Sequence, residues 1–272
     1  MGLTNGVASG AGIGLGVLIS AALVQLLPAP RVLPYVLMLV LFTVAFVGVL
    51  LMPEPVTDRT RLRLTQQRPR VPAPVRQPFF VAALAVTSAY SMAGLFLALG
   101  AQLSGRVLET GNHLVTGISM FVLAGFASVA QLAYGRRPAW VGLMSGSVAL
   151  AGGVALIVLS ASQDAAAPLL IGSAVGGAGF GLAFLGALRA LSAAIPPDHR
   201  AGVMSAFYVV GYAALSVRAV MAGLVVTPLG LESTFEIFGT LVAALALVVA
   251  LQAWRTRPRP ARCAAQLATE TP

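Results

Sequence analysis

The stretch Gly10–Val17, GAGIGLGV, sets glycine at every second position inside an apolar segment close to the start of the chain. Two contexts want that pattern. One is a loop that cradles the phosphates of a dinucleotide. The other is a membrane helix that a second helix approaches closely. The loop needs a strand before the glycines, a helix after them, and an acidic residue about 20 positions further on. Here the following residues are VLISAALVQLL, and the nearest acid is Glu54, beyond another whole apolar stretch. That context excludes the nucleotide loop. On a helix, Gly6, Gly10 and Gly14 share one face, and Gly12 and Gly16 share a second. Rows of small residues let two backbones close up where lipid supplies no hydrophobic drive.

Composition supports the helix. Of 272 residues, 58% are hydrophobic and 9% charged, and the mean hydropathy is +0.91. A water-soluble domain carries roughly 25% charged residues. So few charges cover a lipid-facing surface, not a water-facing one, and the fold class is all-α integral membrane. The net charge of +9 comes from 17 arginines with no lysine. They lie between apolar stretches, where they set topology and meet lipid headgroups, so no nucleic-acid partner is expected. The single cysteine, Cys263, permits no intrachain disulfide. No metal spacing, nucleophile triad or phosphate loop is present, so neither an enzyme nor a bound metal or cofactor is expected.

Eight apolar stretches reach the roughly 20 residues that a helix needs to cross a bilayer. They are Leu3–Leu27, Val32–Leu51, Phe79–Leu103, Leu114–Ala133, Trp140–Ser160, Pro168–Leu191, Ala201–Val225 and Thr234–Trp254. Fourteen arginines fall on the side of the N-terminus, including the loop pair Arg136 and Arg137. Only Arg31 and Arg106 fall on the other side, and Arg218 lies within a stretch. That asymmetry places both termini in the cytoplasm. Residues 52–78 are rich in Pro and Arg and cannot bury a core, so they read as a cytoplasmic linker. Span six repeats the glycine device with Gly172, Gly176, Gly177, Gly179 and Gly181. Two bendable, closely packed helices in one bundle suit halves that rock against each other, or plain tight packing without motion.

GAGIGLGV and its continuation LISAALVQLLPAPRVLPYVL resemble the fifth helix, and the run into the sixth, of major facilitator superfamily transporters of the drug-efflux-like type. The glycines match the antiporter motif of that helix; the Pro that usually follows the last glycine is Val17 here. Residues 52–78 resemble the central loop, and Arg136-Arg137 in QLAYGRRPAW resemble its basic loop motif without the acidic residue. Segment Pro196–Val217 resembles the entry to the eleventh helix. The resemblance implies helices five to twelve of a twelve-helix fold, lacking the first four. Residues 1–51 are then the last two helices of the N-terminal bundle. Residues 52–78 are the linker, 79–254 the complete C-terminal bundle, and 255–272 a polar tail. It further implies a multi-pass protein of the cell membrane that exports small molecules, coupled to protons, by alternating access. A non-transporting remnant or membrane scaffold is the alternative.

Residues for that task were sought at membrane depth, where polar groups are expensive. No Asp or Glu lies mid-span, so a proton-coupling carboxylate would belong to the absent helices. Tyr208 and Tyr212 share a helix face, and Tyr90-Ser91 interrupt span three. These suit a cavity for amphipathic solutes or, equally, interhelical hydrogen bonds. Arg218 either lines that cavity, pairs with Glu236, or snorkels outward. The orientation has a direct check. An impermeant maleimide should label Cys263 only after the cells are permeabilised; labelling in intact cells would put the tail outside.

Overall fold

A computed structural model describes residues 2–27, 29–30, 32–52, 71–134 and 137–257, with side chains from residue 12 onward. The packing of Gly6 and Gly10, the bulk of the linker, Arg136 and Cys263 lie outside the described residues. The helices are α1 (Gly2–Leu26), α2 (Leu33–Leu50), α3 (Arg76–Val107), α4 (His113–Tyr134), α5 (Ala139–Gln163), α6 (Ala166–Ala194) and α7 (Arg200–Arg255). Short 3-10 turns at Ala73–Val75 and Pro197–His199 lead into α3 and α7. Among the described residues, six helices are long and apolar enough to cross a membrane. The chain is therefore built as a multi-pass, all-α membrane protein.

Six differs from the eight stretches of the sequence for two reasons. The described part of α1 that is apolar, Gly12–Leu26, is short. The last two stretches fall in a single helix, α7, broken only at Gly230 (φ 81, ψ 170) just after Pro228. Proline cannot donate the helical hydrogen bond and glycine tolerates positive φ, so the pair breaks the helix. The limbs, residues 200–229 and 231–255, fold back on each other. Arg218 and Phe238 would be about 30 Å apart along a straight helix. Instead the guanidinium lies 5.2 Å from the ring centroid. Thr234 Oγ1 donates to the Gly230 carbonyl at 2.6 Å and holds the start of the second limb.

Glycine decides which helices touch. α5 and α6 run antiparallel, with Gly153 against Gly176, Gly146 against Leu182-Ala183, and Gly186 against Leu143. α6 and α4 run parallel, with Gly177 on the Leu123 backbone and Gly181 on the Ala127 backbone. At each of these positions an added Cβ would overlap main-chain atoms of the neighbour. The expected glycines of span six therefore serve more than one face: Gly172 and Gly179 meet α5, Gly177 and Gly181 meet α4, and a Cβ on Gly176 would meet Met92 of α3 while its backbone lies against Gly153. α3 crosses the first limb of α7 through Gly94, against the Leu215 backbone, and Gly211, against the Val86 side chain.

On α1, Gly14 packs on Ala124 and Phe121 of α4, and a Cβ there would sit 3.2 Å from Ala124 Cβ. Gly117 of α4 returns the contact to Ala21 and Val17. Gly12 and Gly16 do not meet a second helix: nothing lies within 4 Å of a Cβ at either position. They face a cleft of about 510 Å³ between α1, α3 and α4. α2 buries no residue at all.

The buried side chains form two clusters along the bundle. One gathers Phe96, Leu103, Ile157, Leu169, Phe235 and Val242. The other gathers Val86, Leu143, Leu191, Val203, Phe207 and Val249. Tyr90 packs against both.

The same substitution should have opposite consequences at two of these glycines. Gly177→Ala forces a methyl into the Leu123 backbone and should cost about 1–3 kcal/mol, the range for overpacking. Gly12→Ala meets open space and should be neutral or stabilising by up to about 1 kcal/mol through helix propensity. Thermal unfolding of the purified variants in detergent measures both; equal effects would sink the close-approach account.

Candidate functional site

Tyr90 sits near the middle of α3, Phe180 at the middle of α6, and Tyr212 near the middle of the first limb of α7. The three helices bring these rings to one place. Tyr90 lies 5.9 Å from Phe180, 5.8 Å from Phe184 and 5.7 Å from Tyr212, edge to face. Phe180 and Phe184 are stacked at 6.4 Å. Phe184 continues to Phe207 at 6.1 Å, Phe207 to Tyr208 at 5.6 Å, and Tyr208 stacks on Tyr212 at 6.5 Å. Six aromatic side chains thus make one wall. Its back is closed by Phe207, which is fully buried, and its front is open at Tyr212, which is 59% exposed.

Helical spacing explains the wall. Residues four apart share a face, so Tyr212 lies beside Tyr208 on α7 and Phe184 beside Phe180 on α6. The glycines around Phe180 draw α6 against α4 and α5 and leave the two rings facing α3. Gly211 lets α7 close on α3 at Tyr90 and Val86. Offset and edge-to-face aromatic pairs add about 0.5–1.5 kcal/mol each beyond the area they bury. Among the described residues, the hydroxyls of Tyr90, Tyr208 and Tyr212 take part in none of the side-chain hydrogen bonds.

Of the expected candidates, Tyr90, Tyr208 and Tyr212 come together. Ser91, 1% exposed, packs inside the bundle. Ser205 and Ser216 are exposed on α7. Arg218 turns away from the wall and lies over Phe238; no ion pair joins it to Glu236 among the described residues. Arg189 donates to the carbonyl of Arg137 at 3.1 Å, which ties the end of α6 to the loop before α5. Phe180, Phe184 and Phe207 were not expected at the site. Their signal in the sequence is the four-residue spacing of Phe180 and Phe184 within a glycine-rich stretch.

The opposite end of the bundle carries a separate ionic cluster. Arg106, at the end of α3, contacts Asp164 with two of its nitrogens, Nε at 2.9 Å and Nη2 at 3.0 Å. Its Nη2 also lies 3.9 Å from Glu232, just past the break in α7. Nearby, α4 begins with its first amides satisfied: Leu114 N donates to Asn112 Oδ1 at 2.9 Å, and His113 N to Gln25 Oε1 of α1 at 3.1 Å. Ser104 and Ser119 join α3 to α4 through buried hydroxyls 2.6 Å apart. No group of His, Cys, Asp or Glu among the described residues could hold a metal ion.

Compared with known proteins, the chain matches no family model and no curated sequence.

The ionic cluster is exposed, and exposed pairs contribute about 0–1 kcal/mol. Arg106→Ala should therefore lower stability by about 1 kcal/mol or less, and the loss should shrink in high salt as screening takes over. Chemical denaturation at low and high ionic strength reads the difference; a salt-independent loss would mean that Arg106 acts through packing.

Proposed function

We propose that this chain is the greater part of a major facilitator-type exporter and that the aromatic wall lines its substrate path. The observation that carries this reading is the wall's position. It lies at mid-depth on α3, α6 and α7, with a closed back and an open front. Tyrosine ordinarily collects at membrane interfaces, where its hydroxyl finds water or headgroups. Three tyrosines at mid-depth suit a face turned toward a cavity rather than toward acyl chains.

On this reading the two limbs of α7 count as two spans. With α1 through α6 they make eight, corresponding to helices five to twelve. α1 and α2 then belong to the other half of the transporter, and the wall's front faces the four helices that this sequence does not contain. Glycine contacts of the kind seen at Gly177 keep the helices of one half packed as a unit, which the rocking of one half against the other requires. No described carboxylate lies at mid-depth, so proton coupling falls to the absent helices. The arginine asymmetry favours cytoplasmic termini and the cell membrane. A second reading, a membrane scaffold without transport, is favoured by α2, which buries nothing within the chain.

The mass of the endogenous protein, tagged at its C-terminus and read by immunoblot, tests the first reading. Four further spans of about 20 residues with loops predict a band near ~40 kDa. Membranes containing that form should take up substrate when everted vesicles are energised with a pH gradient. A band at 27.8 kDa with no gradient-driven uptake would favour the scaffold.

A further inference from the structure

We propose that the open front of the Tyr90–Phe180–Tyr212 wall binds an uncharged, planar aromatic molecule that carries a hydrogen-bond acceptor at its edge. This rests on the reading that the wall faces a substrate path, and it names what travels there.

Shape comes first. Tyr90 stands edge-on to Tyr212, at an interplanar angle of 89°, while Phe180 and Phe184 lie nearly parallel, at 6°. The wall thus combines edge-to-face and parallel ring packing, with Tyr212 exposed at its front, and a flat aromatic ligand can extend either arrangement. Phe207, fully buried behind it, fixes the layer so that the front presents a defined surface.

Polarity comes next. The phenol hydroxyls of Tyr90, Tyr208 and Tyr212 have no described acceptor, and the hydrocarbon core supplies none. A phenol donates readily, so an acceptor on the rim of the ligand, such as a carbonyl oxygen, satisfies it.

Charge selects among aromatic molecules. The described acids sit at helix ends or in loops: Glu109, Asp164, Asp198, Glu232 and Glu236. None is on the wall, so an organic cation would gain only ring-face attraction while losing its hydration. An anion fares no better. Arg218 lies about 120° around the helix from Tyr212, and its guanidinium rests over Phe238. The neutral ligand is the one that the wall desolvates at least cost.

The test uses three probes built on one ring system: a neutral aminoanthraquinone, the same ring with a quaternary ammonium arm, and the same ring as a sulfonate. The full chain is reconstituted in nanodiscs, binding is measured by equilibrium dialysis, and empty nanodiscs are subtracted. The neutral probe should bind saturably and at least about tenfold more tightly than either charged one. Tyr90→Phe and Tyr212→Phe keep the rings and remove the hydroxyls, and each should weaken it several-fold without shifting thermal unfolding. Tyr212→Ala should abolish saturation. A cationic probe that binds more tightly than the neutral one, or neutral binding that ignores both Tyr→Phe changes, would overturn the proposal. So would a disulfide-linked dimer from a Cys263→Ser, Tyr212→Cys chain, because the wall would then be a helix-docking face. Binding is read without transport. Saturable neutral binding with no uptake in vesicles would leave the ligand class standing and remove the exporter; uptake of cations alone would do the reverse.

Discussion

Lipid gives two apolar helices no reason to leave it for each other, so α6 must hold α4 and α5 by contact alone. It does so by removing side chains. Gly176 against Gly153, and Gly177 and Gly181 against the backbones of Leu123 and Ala127, bring main chain onto main chain on two faces of one helix. Close approach multiplies weak dispersion contacts and leaves no room for adjustment. The aromatic wall depends on it. Phe180 and Phe184 project toward α3 because the glycines on the other faces of α6 fix its rotation. The α3 crossing at Gly94 and Gly211 then sets Tyr90 against Tyr212.

The break in α7 is a different kind of constraint. A 56-residue helix would extend about 84 Å, far beyond a hydrocarbon core of about 30 Å. Pro228 and Gly230 turn that length into two limbs that pack on each other and on the rest of the bundle. The fold-back places Arg218 over Phe238, where the guanidinium has a ring face beside it. An arginine within an apolar stretch is thus accommodated by packing, with no carboxylate in ion-pair contact among the described residues.

The residues that the sequence makes legible are those whose partners are local or of one type. Gly14 was expected to meet a helix, and it meets α4. Tyr208 and Tyr212 were expected to share a face, and they stack. Gly12 and Gly16 obey the same spacing rule yet face a cleft, because spacing defines a face and not its occupant. The complementary glycines of α5, Gly142, Gly146 and Gly153, carry a weaker signal, with the four-residue spacing only at 142 and 146. Their importance comes from the helix opposite, which periodicity within one segment does not reveal. The ionic cluster of Arg106, Asp164 and Glu232 was hidden for a related reason. Its members are far apart in sequence and look like unrelated loop charges until the helix ends converge.

That separation has a consequence for how the chain is made. Asp164 follows Arg106 by 58 residues, and Glu232 comes later still. At a synthesis rate of about 5–20 residues per second, Arg106 waits roughly 3–12 s for its first carboxylate and longer for its second. In the proposed orientation, α3 must deliver that arginine across the bilayer during this interval as a bare cation. The arginines before α3 must therefore hold their end of the helix firmly enough to outweigh it. The ion cluster of the finished protein gives the crossing no help; on that orientation it forms only after the linker arginines have set the topology.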